Sequence, residues 1–226
     1  MNLSARKASA VHQSLLKFDN HDSRIPYYEL MMEGGLNHLP EMALPSGYRF
    51  ATYRPGDRDD WISIEKSARE FESHDEGLAV WKHYFAPYDS ILPGRMYFVV
   101  NRNGEKVGTA SAFFDIHSGD DGANGWLHWV AVRREEQGHG LSKPLILHVL
   151  HRMKELGYCR AVIPTQTTTW LACKIYLDLG FRPIPQNAEK NRQGWQIVRT
   201  LTDHPALTEF EPVAIHHIVC EQEFGE

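Results

Sequence analysis

The stretch VAVRREEQGHGLSKPL, Val130 to Leu145, runs from a short apolar segment through a charged cluster into two glycines that flank one histidine, and then into helix-like sequence. Glycine loses much chain entropy on folding, so it is placed where φ is positive or where a ligand needs the space of a missing Cβ. The first amides of a helix have no internal partners and carry the positive end of its dipole, so a strand-to-helix junction of this kind can hold phosphate oxygens. An ordinary tight turn is the competing reading. No G-K-[ST] of a phosphate loop and no G-x-G-x-x-G of a dinucleotide fold is present.

The rest of the composition narrows the choices. The chain has 226 residues, 42% hydrophobic and 23% charged, enough for one domain with extensions. Lys and Arg number 24 against 29 Asp and Glu, a net charge of -5, with no basic run to displace counterions from nucleic acid. Cys159, Cys173 and Cys220 form no CxxC and leave an odd count, which points away from a disulfide framework and towards a cytoplasmic protein. The start, MNLSARKASAVHQSLLKF, lacks the apolar run of a signal peptide, and no membrane span or membrane partner is expected.

Along the chain, residues 1–46 read as an irregular N-terminal extension, residues 47–202 as the domain and residues 203–226 as a C-terminal extension. YRFATY alternates as a strand, GDRDDWISIEKSAREF reads as a helix and a second helix is expected from Glu76 to about Phe85. RMYFVV and KVGTASAFFDI form a hairpin around Asn103-Gly104, and WLHWVAV is a further strand. GLSKPLILHVLHRMKEL places Leu141, Leu145, Val149, Met153 and Leu156 on one helical stripe. CRAVIPT is strand-like, Trp170 to Leu179 helical, Gly180 suited to a left-handed C-terminal position, and WQIVRTL a last strand. VAIHHIVCE can pair with a sheet edge of this chain or of a second copy, which leaves a homodimer open. The alternation gives an α/β or α+β domain.

At Gln137, Gly138, Gly140 and Ser142 the sequence resembles the GNAT acetyltransferase superfamily, whose acyl-CoA signature is Q/R-x-x-G-x-G/A. ACKIYLDLGF resembles that family's second signature through Ala172, Tyr176, Gly180 and Phe181. The resemblance implies a mixed, mostly antiparallel central sheet flanked by helices and splayed between the fourth and fifth strands. It implies acetyl-CoA as cofactor, bound by Val130, Val132, Gln137, Gly138, His139, Gly140, Leu141 and Ser142. Backbone groups around Val130 and Val132 would meet the pantetheine arm like an added strand. Two departures stand out: Ser142 replaces a usual Gly or Ala, and His139 replaces a frequent Arg or Lys, with Arg133 and Arg134 nearby.

The resemblance also assigns Tyr176 as the acid that protonates the departing CoA sulfur. An alkylamine is protonated at pH 7 and needs a base before it can attack a thioester. His128 is the first candidate for that base and Asp115 the second. Strand alternation puts His128 and Trp126 on one face, Leu127 and Trp129 on the other. Trp126, Thr165, Gln166 and Trp170 are candidates to line the acceptor pocket. His148 and His151 are spaced for a metal, but nothing completes a set, so no metal is expected and a solvated helix flank is the reading. The expected function is an N-acetyltransferase moving an acetyl group from acetyl-CoA to a primary amine of a small molecule or peptide by direct attack. The alternative is a catalytically silent acyl-CoA-binding sensor, which would need neither Tyr176 nor a base.

Overall fold

The computed structural model describes residues 21–185 and 189–208. MNLSARKASAVHQSLLKF and VAIHHIVCE, with Cys220, lie outside the described residues. Seven strands make one sheet: β1 (Glu29–Gly35), β2 (Arg49–Thr52), β3 (Met96–Val100), β4 (Lys106–Phe113), β5 (Asn124–Val132), β6 (Arg160–Gln166) and β7 (Arg182–Pro183), in the order β2-β3-β4-β5-β6-β1-β7. Every pairing is antiparallel except β5 with β6. The helices are α1 (Arg58–Ser67), α2 (His74–Tyr84), α3 (Ser142–Glu155), α4 (Trp170–Asp178) and α5 (Glu189–Thr202). This is the mixed, mostly antiparallel architecture expected from the resemblance. Among the described residues no helix is long and apolar enough to cross a membrane.

Apolar side chains cover both faces of the sheet. On one, Leu145, Val149 and Met153 of α3 pack with Val99, Ala110 and Leu127 of the strands and with Tyr176, Leu177, Trp195 and Val198 of α4 and α5. On the other, an aromatic layer holds Trp61, Phe71, Trp81, Phe85, Phe98 and Phe113. Ser73 caps α2, accepting from the Glu76 amide at 3.1 Å while Glu76 reaches back to the Ser73 amide, a reciprocal cap worth about 1 kcal/mol. The Asn103-Gly104 turn joins β3 and β4 as expected, with Gly104 at φ +85°.

Three readings of the sequence are corrected. The N-terminal region is not irregular throughout: β1 lies inside the sheet, paired with β6 from Glu29↔Gln166 to Gly35↔Arg160, and buries Leu30 and Met32. WQIVRTL is not a strand but part of α5. Its β-branched residues favour a strand locally, yet Asn191, Gly194, Trp195, Val198 and Thr202 are buried at helical spacing. Tertiary packing overrides propensity there, because Gly194 lets α5 lie against Leu30 and Tyr28 of the N-terminal strand region. The helix expected through Phe71 ends at Ser67: Arg69 takes φ +69°, and the reversed chain brings the Phe71 ring to 5.9 Å from Trp61.

Candidate active site

Parallel pairing of β5 with β6 covers only Asn124↔Arg160, Gly125↔Ala161 and Trp126↔Val162. Beyond it β5 continues to Val132 and β6 to Gln166, and a cavity of about 450 Å³ is lined by Leu127–Ala131 from one and Pro164–Gln166 from the other. These are the fourth and fifth strands counted from Tyr48. The size suits a small molecule.

His128 lines this cavity and is 7% exposed. Its ring is held by a hydrogen bond to the Phe114 backbone, and Nε2 has no hydrogen-bond partner among the described residues. Bonding at Nδ1 leaves Nε2 as the free lone pair. Burial pushes the imidazole down to about 4, against smaller opposing effects of the Phe114 bond and Asp115, so the ring is neutral at pH 7. Trp126 stacks on it at 5.6 Å, and Tyr84 stands 5.7 Å away.

Tyr176 of α4 opens on the same cavity with Ala172, Thr165, Gln166 and Thr169. Burial raises its phenol far above the ordinary value, with Cys173, Glu70 and Glu65 adding to the effect, so it stays protonated and able to donate. Thr165 Oγ1 lies 3.5 Å from both Thr169 Oγ1 and Cys173 Sγ.

One cavity residue escaped the sequence reading. Glu65, on α1, is 0% exposed and neither carboxylate oxygen has a hydrogen-bond partner among the described residues. Burial first, and the charge of Glu70 second, raise its pKa well above the ordinary range. The signal was present: Trp61, Ile64 and Ala68 mark the buried stripe of α1, and Glu65 sits among them at i+4 from Trp61, a charged residue in an apolar stripe.

The glycine loop joins β5 to α3 through a 3₁₀ turn, Arg134–Glu136. Gly138 and Gly140 adopt φ +81° and +76°, and a Cβ on Gly140 would meet only Pro45 Cγ, at 3.9 Å. Ser142 begins α3, and Leu141 before it is buried. Several side chains of the loop are tied to one another or to the sheet by hydrogen bonds. Gln137 Nε2 donates to the Val132 carbonyl at 3.0 Å, so that carbonyl already has a partner, whereas Val130 borders the cavity. His139 Nδ1 is 3.2 Å from Glu136 Oε2, which also accepts from Tyr48 at 2.6 Å. Arg133 donates to the Lys106 carbonyl and Ser63.

Other candidates fall elsewhere. Asp115 accepts from Ser118 at 2.6 Å and from the His117 amide at 3.0 Å; burial alone would raise its carboxyl, but these bonds hold it low. Asp115 and Trp126 line a second cavity, of about 270 Å³, rather than that of His128. Trp170 is buried at 3% exposure and does not line the main cavity. His148 is not a solvated flank: it stacks on Phe50 at 4.0 Å and meets Tyr97 edge-on at 4.6 Å, while His151 reaches the Pro40 carbonyl.

Comparison with known proteins supplies the family. The model of the acetyltransferase (GNAT) family matches residues 58–181, more than half of the chain. The chain is similar to a mycothiol acetyltransferase of Pseudarthrobacter chlorophenolicus, 29% identical over 147 residues that cover 63% of this chain and 45% of that protein. It is also similar to one of Catenulispora acidiphila, 28% identical over 151 residues, 63% and 46% of the two chains. The chain thus spans about half the length of the curated relatives it matches. In fold it resembles a GCN5-related N-acetyltransferase from Sphaerobacter thermophilus, with a TM-score of 0.56 and 20% identity over 76% of this chain and 53% of that one. The chain belongs to the acetyltransferase (GNAT) family.

Proposed function

We propose that the protein transfers an acetyl group from acetyl-CoA to the primary amine of a small molecule, by direct attack with both substrates bound. The observation that carries this reading is the convergence of His128 and Tyr176 on one cavity between the separated ends of β5 and β6. A free imidazole lone pair and a protonated phenol are the two complementary groups that amide formation from a thioester requires.

Acetyl-CoA supplies the thioester. The residues present fit it: Gly138 and Gly140 keep side chains away from the N-terminus of α3, where helix amides can receive phosphate oxygens. Val130 on the cavity side of β5 is the backbone contact for the pantetheine arm. His128 Nε2 takes a proton from the nitrogen once it has attacked. Tyr176 gives its proton to the sulfur as the C–S bond breaks. The aromatic rings of Tyr84 and Trp129 in the cavity wall limit the water around the reacting atoms.

Mycothiol acetyltransferases are among the relatives, so a thiol-bearing amine belongs in the acceptor panel. The test is release of free CoA thiol from purified protein with a panel of amines. Acceptor-dependent release well above hydrolysis supports the reading; release unaffected by every amine overturns it.

A further inference from the structure

Glu65 has no role in that reading, although it is wholly buried, has no hydrogen-bond partner among the described residues and stands in the wall of the same cavity. The lining also includes Glu29 and Glu70, and among the described residues it contains no Lys or Arg. Tyr27, 59% exposed at the rim, has its phenol raised by burial first and then by the charges of Glu29 and Glu70, which locates those two carboxylates around it. His21 Nε2 lies 3.8 Å from Glu70 Oε1.

The chemistry leaves a gap that Glu65 fills. An alkylammonium has a pKa near 10, whereas His128 is held at about 4. Transfer of the first proton from ammonium to His128 is therefore uphill by about a millionfold. His128 suits the far more acidic nitrogen formed after attack, but not the substrate that enters. A buried carboxylate of raised basicity suits the entering ammonium.

We infer that Glu65 receives the reacting ammonium and takes its first proton, and that the preferred acceptor is a small diamine or polyamine whose second cationic group is held by Glu29 and Glu70 at the rim. The inference rests on the amine-acetylation reading.

The protons balance. Entry of R–NH₃⁺ beside the Glu65 carboxyl releases one proton to solvent and forms a carboxylate–ammonium pair. One N–H proton moves to the carboxylate, giving R–NH₂ and a neutral Glu65. The nitrogen lone pair forms the C–N bond to the thioester carbon, His128 Nε2 takes the second N–H proton, and Tyr176 protonates the departing sulfur as the C–S bond breaks. The imidazolium then returns a proton to the phenolate. The net change is R–NH₃⁺ and acetyl-CoA to R–NH–acetyl, CoA thiol and one proton. The ionisable groups lining the site around Glu65 are Glu70, His128, Tyr84 and Tyr176, with Tyr27 and Glu29 at the rim.

Three four-carbon acceptors separate the possibilities: 1,4-diaminobutane, n-butylamine and 4-aminobutanoate, with a cationic, a neutral and an anionic tail. The expected order of kcat/KM is diaminobutane, butylamine, aminobutanoate, with at least about tenfold at each step. Glu65→Gln should lower kcat by about 10² to 10⁴ with acetyl-CoA affinity retained. The Glu29→Gln/Glu70→Gln double variant should shrink the diamine-to-butylamine ratio. Calorimetry of diaminobutane binding to the protein–CoA complex, in two buffers of different ionisation enthalpy, should report proton release on binding, a release absent in Glu65→Gln. Butylamine turned over as well as diaminobutane, or near-normal kcat in a folded Glu65→Gln protein, overturns the inference while leaving amine acetylation standing. Diamine binding with Glu65-dependent proton release but no turnover supports the Glu65 site and sinks the transfer reading.

Discussion

Trp129 follows His128 in the chain, yet both rings lie on the same side of the sheet. The Trp129 ring is 5.4 Å from Tyr84 and 5.5 Å from Trp61, and the His128 ring is 5.7 Å from the same Tyr84. The cause is a bulge. Between the pairs Ser111↔His128 and Thr109↔Ala131, β5 advances three residues while β4 advances two, and Trp129 takes φ +51°. Strict alternation, which put Trp129 with Leu127, fails at this residue. The extra residue turns Trp129 into the aromatic layer and returns Val130 to the side of α3.

His128→Gln removes the imidazole lone pair while keeping an uncharged polar group of similar reach. kcat should fall by about 10² or more, the ordinary worth of a proton acceptor. Because burial holds the imidazole at about 4, the wild-type rate should not fall on its account between pH 7 and pH 5. An acidic limb near pH 6.5 that His128→Gln abolishes would show a solvated imidazole instead.

Tyr176→Phe keeps the ring and removes one hydroxyl. Stability should change by no more than about 1 to 2 kcal/mol, and kcat should drop by about 10² to 10⁴ with acetyl-CoA binding nearly intact. The phenol titrates well above its ordinary value, so Tyr176 should add no alkaline limb near pH 10. A near-normal kcat with a lowered Tm would make the residue packing alone.

Gly140→Val tests the loop. The space around the missing Cβ is open, so the cost to stability comes from φ +76°, roughly 1 to 2 kcal/mol. Acetyl-CoA affinity should fall by at least about tenfold if the bare backbone is where the phosphates approach. Calorimetry that finds unchanged affinity in a folded variant would move the phosphates elsewhere.

Glu65 should make itself felt in the stability of the empty protein. Its folded pKa lies above the unfolded one, so its contribution is complete below about 4.5 and is lost as pH rises through the folded value. Glu65→Gln, which never ionises, should be as stable as wild type at pH 4.5 and more stable at pH 8. Parallel denaturation midpoints at both pH values would contradict the burial of an ionisable carboxyl.

Gly194→Ala places a Cβ 2.9 Å from Leu30 Cδ2 and 2.9 Å from Tyr28 Cβ. Helix propensity favours the change by about 1 kcal/mol, while overpacking costs about 1 to 3 kcal/mol. A net loss of about 1 kcal/mol is expected from chemical denaturation, and a stabilised variant would show that α5 can lift from β1.

The sequence by itself determined the region from the hairpin to Phe181. Leu145, Val149 and Met153 mark α3 by helical period, Asn103-Gly104 marks its turn, and Gly138, Gly140 and Tyr176 carry local patterns that survive without knowledge of the fold. Each depends on neighbours a few residues away, which is what a pattern can express. Tertiary structure decided the rest. ELMMEGG became β1 because β6 offered it a partner some 130 residues later, and WQIVRTL became helix because that edge was then taken. Trp129 changed face through one bulge. Glu65 gained its place because α1 lays an apolar stripe along the cavity, and only the closed chain shows that the acid in that stripe has no partner. Pairing across long loops and the desolvation of a charge depend on contacts distant in sequence, and these exist only once the chain has folded.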